Sequence, residues 1–113
     1  MTPAAFRRIV LSLPEAIEGA HMGHADFRVN GKVFATLGWP DKARAMVKLP
    51  QELQDALVRS QPSVFEPASG AWGRQGSTMV HLADVDEATL KDAIKSAWQR
   101  VAAAKPARPK KRA

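Results

Sequence analysis

Asp26-Phe27-Arg28-Val29-Asn30-Gly31-Lys32-Val33-Phe34-Ala35-Thr36-Leu37 is the stretch on which the fold turns. Asn30-Gly31 supplies the two positive φ angles of a type I′ turn, and it lies between alternating runs of β-branched and aromatic residues. The stretch therefore reads as a β-hairpin. A two-residue loop sets the register, so Val29 is expected opposite Lys32, Arg28 opposite Val33, Phe27 opposite Phe34 and Asp26 opposite Ala35. Phe27 and Phe34 then mark the face that needs a core, while Asp26 and Arg28 carry charge on the other.

Upstream, Thr2 can cap a helix whose first residue is Pro3, and Phe6, Ile9, Val10 and Leu13 recur at helical spacing. The helix is expected from about Pro3 to Ser12, with Pro14 ending it. Ala16 to Met22 suits a short strand, and Gly23 turns it into the hairpin. Downstream, Gly38 to Lys42 breaks the pattern. Arg44 to Leu49 then resumes a strand with Ala45, Val47 and Leu49 on one face and Met46 and Lys48 on the other. Pro50 opens a second helix with a narrow stripe of Leu53, Ala56 and Leu57, ending before Pro62. Val64 to Pro67 is too short to assign, and Ala68 to Gly76 reads as a loop. Ser77 to Ala83 alternates as a fifth strand, with Thr78, Val80 and Leu82 on one side and Met79 and His81 on the other. Asp84 and Glu87 have capping-box spacing ahead of a last helix carrying Leu90, Ile94, Ala97, Trp98 and Val101. The pattern predicts an α+β domain: a mainly antiparallel five-stranded sheet with three helices, in the order α-β(4)-α-β-α.

The 113 residues, 45% of them hydrophobic, suffice for one core and not for two, so a single domain is expected over residues 1–104. The absence of cysteine excludes disulfides, thiolate metal sites and cysteine nucleophiles. No apolar run approaches the roughly 20 residues of a membrane span, and the first residues lack a signal-peptide pattern, so a cytoplasmic monomer without membrane contact or cofactor is expected. Five charges of the formal net +6 lie in the terminal stretch 105–113, on Lys105, Arg108, Lys110, Lys111 and Arg112. The preceding body is thus close to neutral. Such a tail reads either as a solvated disordered terminus or as a source of salt-sensitive phosphate affinity.

The order of marks resembles one family. Leu13-Pro14 after an amphipathic helix, Gly23-His24, the Phe27-x-Val29-x-Gly31-Lys32-x-Phe34-Ala35 hairpin, Val47-Lys48-Leu49 and an acidic start to the C-terminal helix are similar to the MmcQ/YjbR family of small bacterial proteins. The resemblance runs over roughly residues 3–104. It implies a double-wing domain around an antiparallel sheet, and it implies DNA binding. One departure stands out: members commonly place a Trp at the start of the last strand, whereas here Gly76-Ser77-Thr78 opens it and Trp72 comes earlier.

Three groups of residues carry candidate chemistry. His21, His24 and Asp26 are metal-ligand types, but residues three apart on a strand point to opposite faces, and no metal site is expected from them. Gly70 to Thr78 combines glycines with Trp72 and Arg74. It could present backbone N–H groups and Arg74 to phosphate while Trp72 stacks on a base, or it could fold Trp72 back onto the body. Its context is not that of a P-loop. Arg28, Lys32, Arg44 and Lys48 lie on or beside neighbouring strands, either as a basic surface or as an ordinary solvated face. No nucleophile elbow, paired carboxylates or HExxH segment is present, so an enzyme is not expected. The leading expectation is a binding module for DNA, with Arg28, Lys32, Arg44, Lys48, Arg74 and the tail on phosphates. The rival is a protein-interaction adaptor using the open sheet face or the Trp39 loop.

Overall fold

The Asn30-Gly31 turn forms with φ of 58° and 75°, both in the left-handed region that a type I′ turn requires. The computed structural model describes residues 1–21, 23–38 and 41–103. In chain order the elements are α1 (Pro3–Leu11), β1 (Ile17–His21), β2 (His24–Val29), β3 (Lys32–Leu37), β4 (Arg44–Lys48), α2 (Gln51–Ser60), β5 (Phe65–Pro67), α3 (Gly70–Arg74), β6 (Ser77–His81) and α4 (Glu87–Ala102). The strands form one antiparallel sheet in the order β1-β2-β3-β4-β6-β5. The α+β class is as expected, but there are six strands and four helices among the described residues, against five and three. Val64 to Pro67 supplies the edge strand β5, where Pro67 leaves no inner ladder bond unmade, and the expected loop contains α3. Three and five residues are too few for periodicity to register.

The hairpin departs from its expected register by one residue. Arg28 pairs with Val33 as expected, but Phe27 pairs with Ala35 and Asp26 with Thr36, so Phe34 does not face Phe27 and Ala35 does not face Asp26. Phe34 is the extra residue of a β-bulge, which lets two successive side chains, Phe34 and Ala35, both turn into the core. Past the bulge the alternation resumes with Leu37 buried and Thr36 on the far face. A straight hairpin would have buried Thr36 and turned Ala35 and Leu37 outward.

Helices α1 and α4 cover the apolar face of the sheet. Phe6 and Val10 from α1, and Leu90, Ile94, Ala97 and Val101 from α4, join Phe27, Phe34, Val47 and Val80 in one buried cluster. The Phe6 and Phe27 rings meet edge to face, with centroids 6.1 Å apart. Thr2 caps α1 by accepting a hydrogen bond from the Ala5 N–H at 3.1 Å. The cap of α4 is Asp86, not the expected Asp84 and Glu87 pair: its carboxylate accepts the Thr89 N–H at 3.0 Å and the Thr89 hydroxyl at 2.7 Å. Arg7 bridges to Glu18 at 3.0 Å and ties α1 to β1, and the Trp98 indole N–H donates to the Pro14 carbonyl at 3.0 Å. On α2 the expected stripe is only partly used. Ala56 is exposed and Gln54 is buried in its place, because the inward side of this short helix meets polar backbone. Among the described residues no helix is long and apolar enough to cross a membrane.

Phe34→Ala should destabilise the fold by about 3 to 5 kcal/mol in urea unfolding, since a fully buried aromatic leaves a cavity, and Gly31→Val should also destabilise by forcing a β-branched residue to positive φ. A midpoint near wild type for Phe34→Ala would place Phe34 outside the core. The Thr89 hydroxyl, then the Thr89 N–H, hold the Asp86 carboxyl below its ordinary value of 3.8. A carboxyl whose native pKa is depressed adds stability above its unfolded-state pKa and loses that contribution as pH falls through the native value. Asp86→Ala should therefore lower Tm at neutral pH, with the gap to wild type narrowing as the pH is taken below 3.8. A gap that persists unchanged in acid would rule out the charge of the cap as its source.

Candidate functional site

Strand alternation sends every second residue of the sheet away from α1 and α4, and the register aligns them in rows. One row runs Asp26, Thr36, Met46, Met79 and Glu66 across five strands. The next, one pleat along, holds Arg28, Val33, Lys48 and Ser77. With His24, Ala68 and Trp72 these rows, Glu66 apart, line an open cavity of about 650 Å³. Its floor is apolar at Val33, Met46 and Met79, and charge stands along one side. Arg28 and Lys48 are two strand spacings apart, about 10 Å between backbones.

The end of the cavity toward β1 is built from an ion pair. Arg28 Nε donates to Asp26 Oδ1 and Nη2 to Oδ2, each at 3.1 Å, a bidentate fork between two residues on the same side of β2. Asp26 is only 2% exposed, so the guanidinium neutralises a carboxylate already removed from water. The hydrogen bond to Asp26, and then its charge, hold the Arg28 guanidinium above its ordinary value against a small effect of burial. A Cβ at residue 19 would lie 2.9 Å from Asp26 Oδ1, so Gly19 on β1 makes room for the carboxylate.

The other end is set by α3. Trp72 is 68% exposed, yet it lines the cavity, so its ring is presented at the wall and not folded into the body. Buried Gln54 holds this segment. Its Nε2 donates to the carbonyls of Gly73 (3.0 Å) and Ser77 (3.1 Å) and contacts the Thr78 hydroxyl at 3.0 Å, and its Oε1 accepts from Gln51 Nε2 at 2.6 Å. From α4, Arg100 donates to the carbonyls of Leu49 and Gln75, closing the segment from the far side. Gly73 and Gly76 are required by close approach: a Cβ at either would run into the backbone oxygen of Ala68 or Leu49.

The expected basic surface divides accordingly. Arg28, Lys48 and Trp72 come together at the cavity. Lys32 pairs with Val29 and so belongs to the other side of the hairpin, contrary to a single basic face with Arg28. Arg44 shares the face but stands opposite His81, outside the cavity, and pairs with Asp41 at 3.7 Å. Arg74 lies two residues from Trp72 on α3, a rotation that points it elsewhere, and it is not a lining residue. Among the described residues Lys48 is in no ion pair, whereas Arg28, Arg44 and His81 are each paired. The backbone N–H groups of Gln75 and Gly76 are taken up by carbonyls within the segment and do not face the cavity as free donors. Trp39 and the tail residues Lys105, Arg108, Lys110, Lys111 and Arg112 lie outside the described residues, as does the His21 side chain. No group of three or more His, Asp or Glu among the described residues is placed to hold a metal ion.

Sequence reasoning placed Met46 and Met79 away from the core but did not join them to Trp72, and it missed the Asp26–Arg28 fork, which the two-residue spacing on one strand could have signalled. Gln54 gave no signal. A second hollow of about 410 Å³ lies between α1 and α4, beside Arg8, Lys91 and Lys95, but Lys91 is held by Glu87 at 3.0 Å and no aromatic is presented there.

If Gln54 positions α3, Gln54→Leu should destabilise by about 1 to 3 kcal/mol through orphaned buried carbonyls. It should also change the quenching of Trp72 by acrylamide, measured against Trp72→Phe. Unchanged stability and quenching would show that α3 is held without it. Among curated proteins no relative matches the sequence. A family model, YjbR, matches residues 11–100, which takes in every strand, α2, α3 and most of α4, and only the last residue of α1. The chain, with its bulged hairpin and its helix-covered antiparallel sheet, belongs to the YjbR family.

Proposed function

We propose that the protein is a non-enzymatic binding module that holds nucleic acid on the sheet face opposite α1 and α4. The observation that carries this reading is Trp72, 68% exposed at the wall of a cavity that also presents Arg28 and Lys48. Stacking on an aromatic and phosphate contacts to cations are the two ingredients of sequence-tolerant nucleic-acid binding. DNA binding is also what the resemblance to the family implies. Both oxygens of Asp26 are engaged by Arg28, so that carboxylate serves to hold the guanidinium in place.

The basic tail adds a separate, sequence-independent attraction for phosphate. The two contributions separate in a titration of labelled duplex and single-stranded DNA at two salt concentrations, with the full chain and with a chain ending before Lys105. Loss of most of the affinity and of the salt slope on truncation, about 0.9 per phosphate contact on duplex, would assign binding to the tail. Retained binding that Lys48→Ala weakens on all sequences alike is the result expected for the sheet face. Absence of binding at low salt by the full chain would overturn the proposal. A protein adaptor would then be favoured, with Ile17, 67% exposed on the edge strand β1, as its contact.

A further inference from the structure

We infer that the sheet-face cavity takes one unstacked nucleotide, its base against Trp72 over the Met46 and Met79 floor and its phosphate toward Lys48, so that unpaired strands are preferred to duplex. The inference rests on the nucleic-acid reading for its macromolecular source, and the shared chemistry, a base bearing a phosphate, also admits a free nucleotide.

Size and layout support it. A cavity of about 650 Å³ falls within the range of sites that enclose small organic ligands. The face of a paired base is covered by the next pair, so an aromatic at the wall of a concavity can reach only a base that has left the stack. Met46 and Met79 are paired across β4 and β6, and their thioethers give the flat, polarisable floor that an aromatic ring packs on.

Charge complementarity places the phosphate. Lys48 stands one pleat from Met46 on the same side of β4 and is in no ion pair among the described residues, so its ammonium is available to an anion. Arg28 is committed to Asp26 through Nε and Nη2, which leaves Nη1 outside the fork. The anion is therefore expected to be read chiefly by Lys48. Met79 and Ser77, both buried, close the floor against water at the Trp72 end.

The test uses the full chain and three probes: adenosine 5′-monophosphate, a single-stranded oligodeoxyadenylate, and the corresponding blunt duplex. Binding is followed by calorimetry, with competition between the first two. Expected results are competition by the monophosphate for the single strand and weaker binding of the duplex. Trp72→Ala should lower single-strand affinity about 5- to 150-fold while Trp72→Phe restores most of it, the span that a stacked base gives. Lys48→Ala should remove the preference for adenosine monophosphate over adenosine, which is titrated as a phosphate-free control. Both positions are at the surface of the cavity, and thermal melts check that each variant folds. Arg28→Ala is avoided because it would strand the Asp26 carboxylate.

If the monophosphate binds with this sensitivity and no strand binds, the cavity is a free-nucleotide site and the macromolecular reading falls alone. If duplex binds at least as well as single strand and the monophosphate does not compete, the inference is overturned while nucleic-acid binding stands. If none of the three binds, both are overturned. A monophosphate that binds equally well to Trp72→Ala and to wild type would also overturn the inference.

Discussion

One extra residue in β3 governs both faces of the sheet. Phe34 has no single partner on β2, and the resulting bulge lets Phe34 and Ala35 enter the core in succession. Because side-chain direction in a strand has a period of two, the insertion inverts every position after it. Leu37 is thereby buried under α4, and Thr36 comes into line with Asp26 and Met46 on the other side. The hydrophobic cluster and the floor of the cavity are consequences of the same irregularity. A straight hairpin would have placed Leu37 among the cavity residues and a hydroxyl in the core, where it would need a partner.

The wall of the cavity depends on a different kind of contact. The segment carrying Trp72 has little apolar surface inward, and it is held by polar side chains reaching its backbone. Gln54 satisfies carbonyls on Gly73 and Ser77 from α2, and Arg100 reaches Gln75 from α4. A buried amide with all its partners in place fixes one geometry, since any displacement leaves acceptors unsatisfied at about 1 to 3 kcal/mol each. The glycines at 73 and 76 allow the approach that these bonds require. Trp72 can then stand exposed on a rigid support, which is the condition for a stacking platform.

The distribution of charge shapes what this face can do. Most of the formal net charge lies in the terminal stretch, and on the sheet face Arg28, Arg44 and His81 are each matched by an acid. A surface so balanced exerts little long-range attraction, and an exposed pair such as Arg44 and Asp41 adds little stability. On the proposed reading, recognition there would be a matter of short-range contact, through an aromatic ring, two thioethers and a lysine. Long-range attraction to phosphate would belong to the tail.

Elements that repeat long enough to show a period can be read from the order of amino acids alone. The hairpin turn, α1 with its Thr2 cap, the faces of β4 and β6, and the apolar side of α4 are legible because glycine at positive φ, capping hydroxyls and apolar spacing act over a few neighbouring residues. The match to the YjbR family spans the hairpin, β4, β6 and most of α4. Tertiary structure decided the rest. The bulge arises where the sheet must bury Phe34, Ala35 and Leu37 together, a demand made by α1 and α4 and not by the hairpin's own sequence. β5 and α3 are too short to hold their shape without β6 and Gln54 beside them. The assembly of Arg28, Lys48 and Trp72 joins residues on β2, β4 and α3, and only the pairing of strands distant in the chain brings them to one cavity.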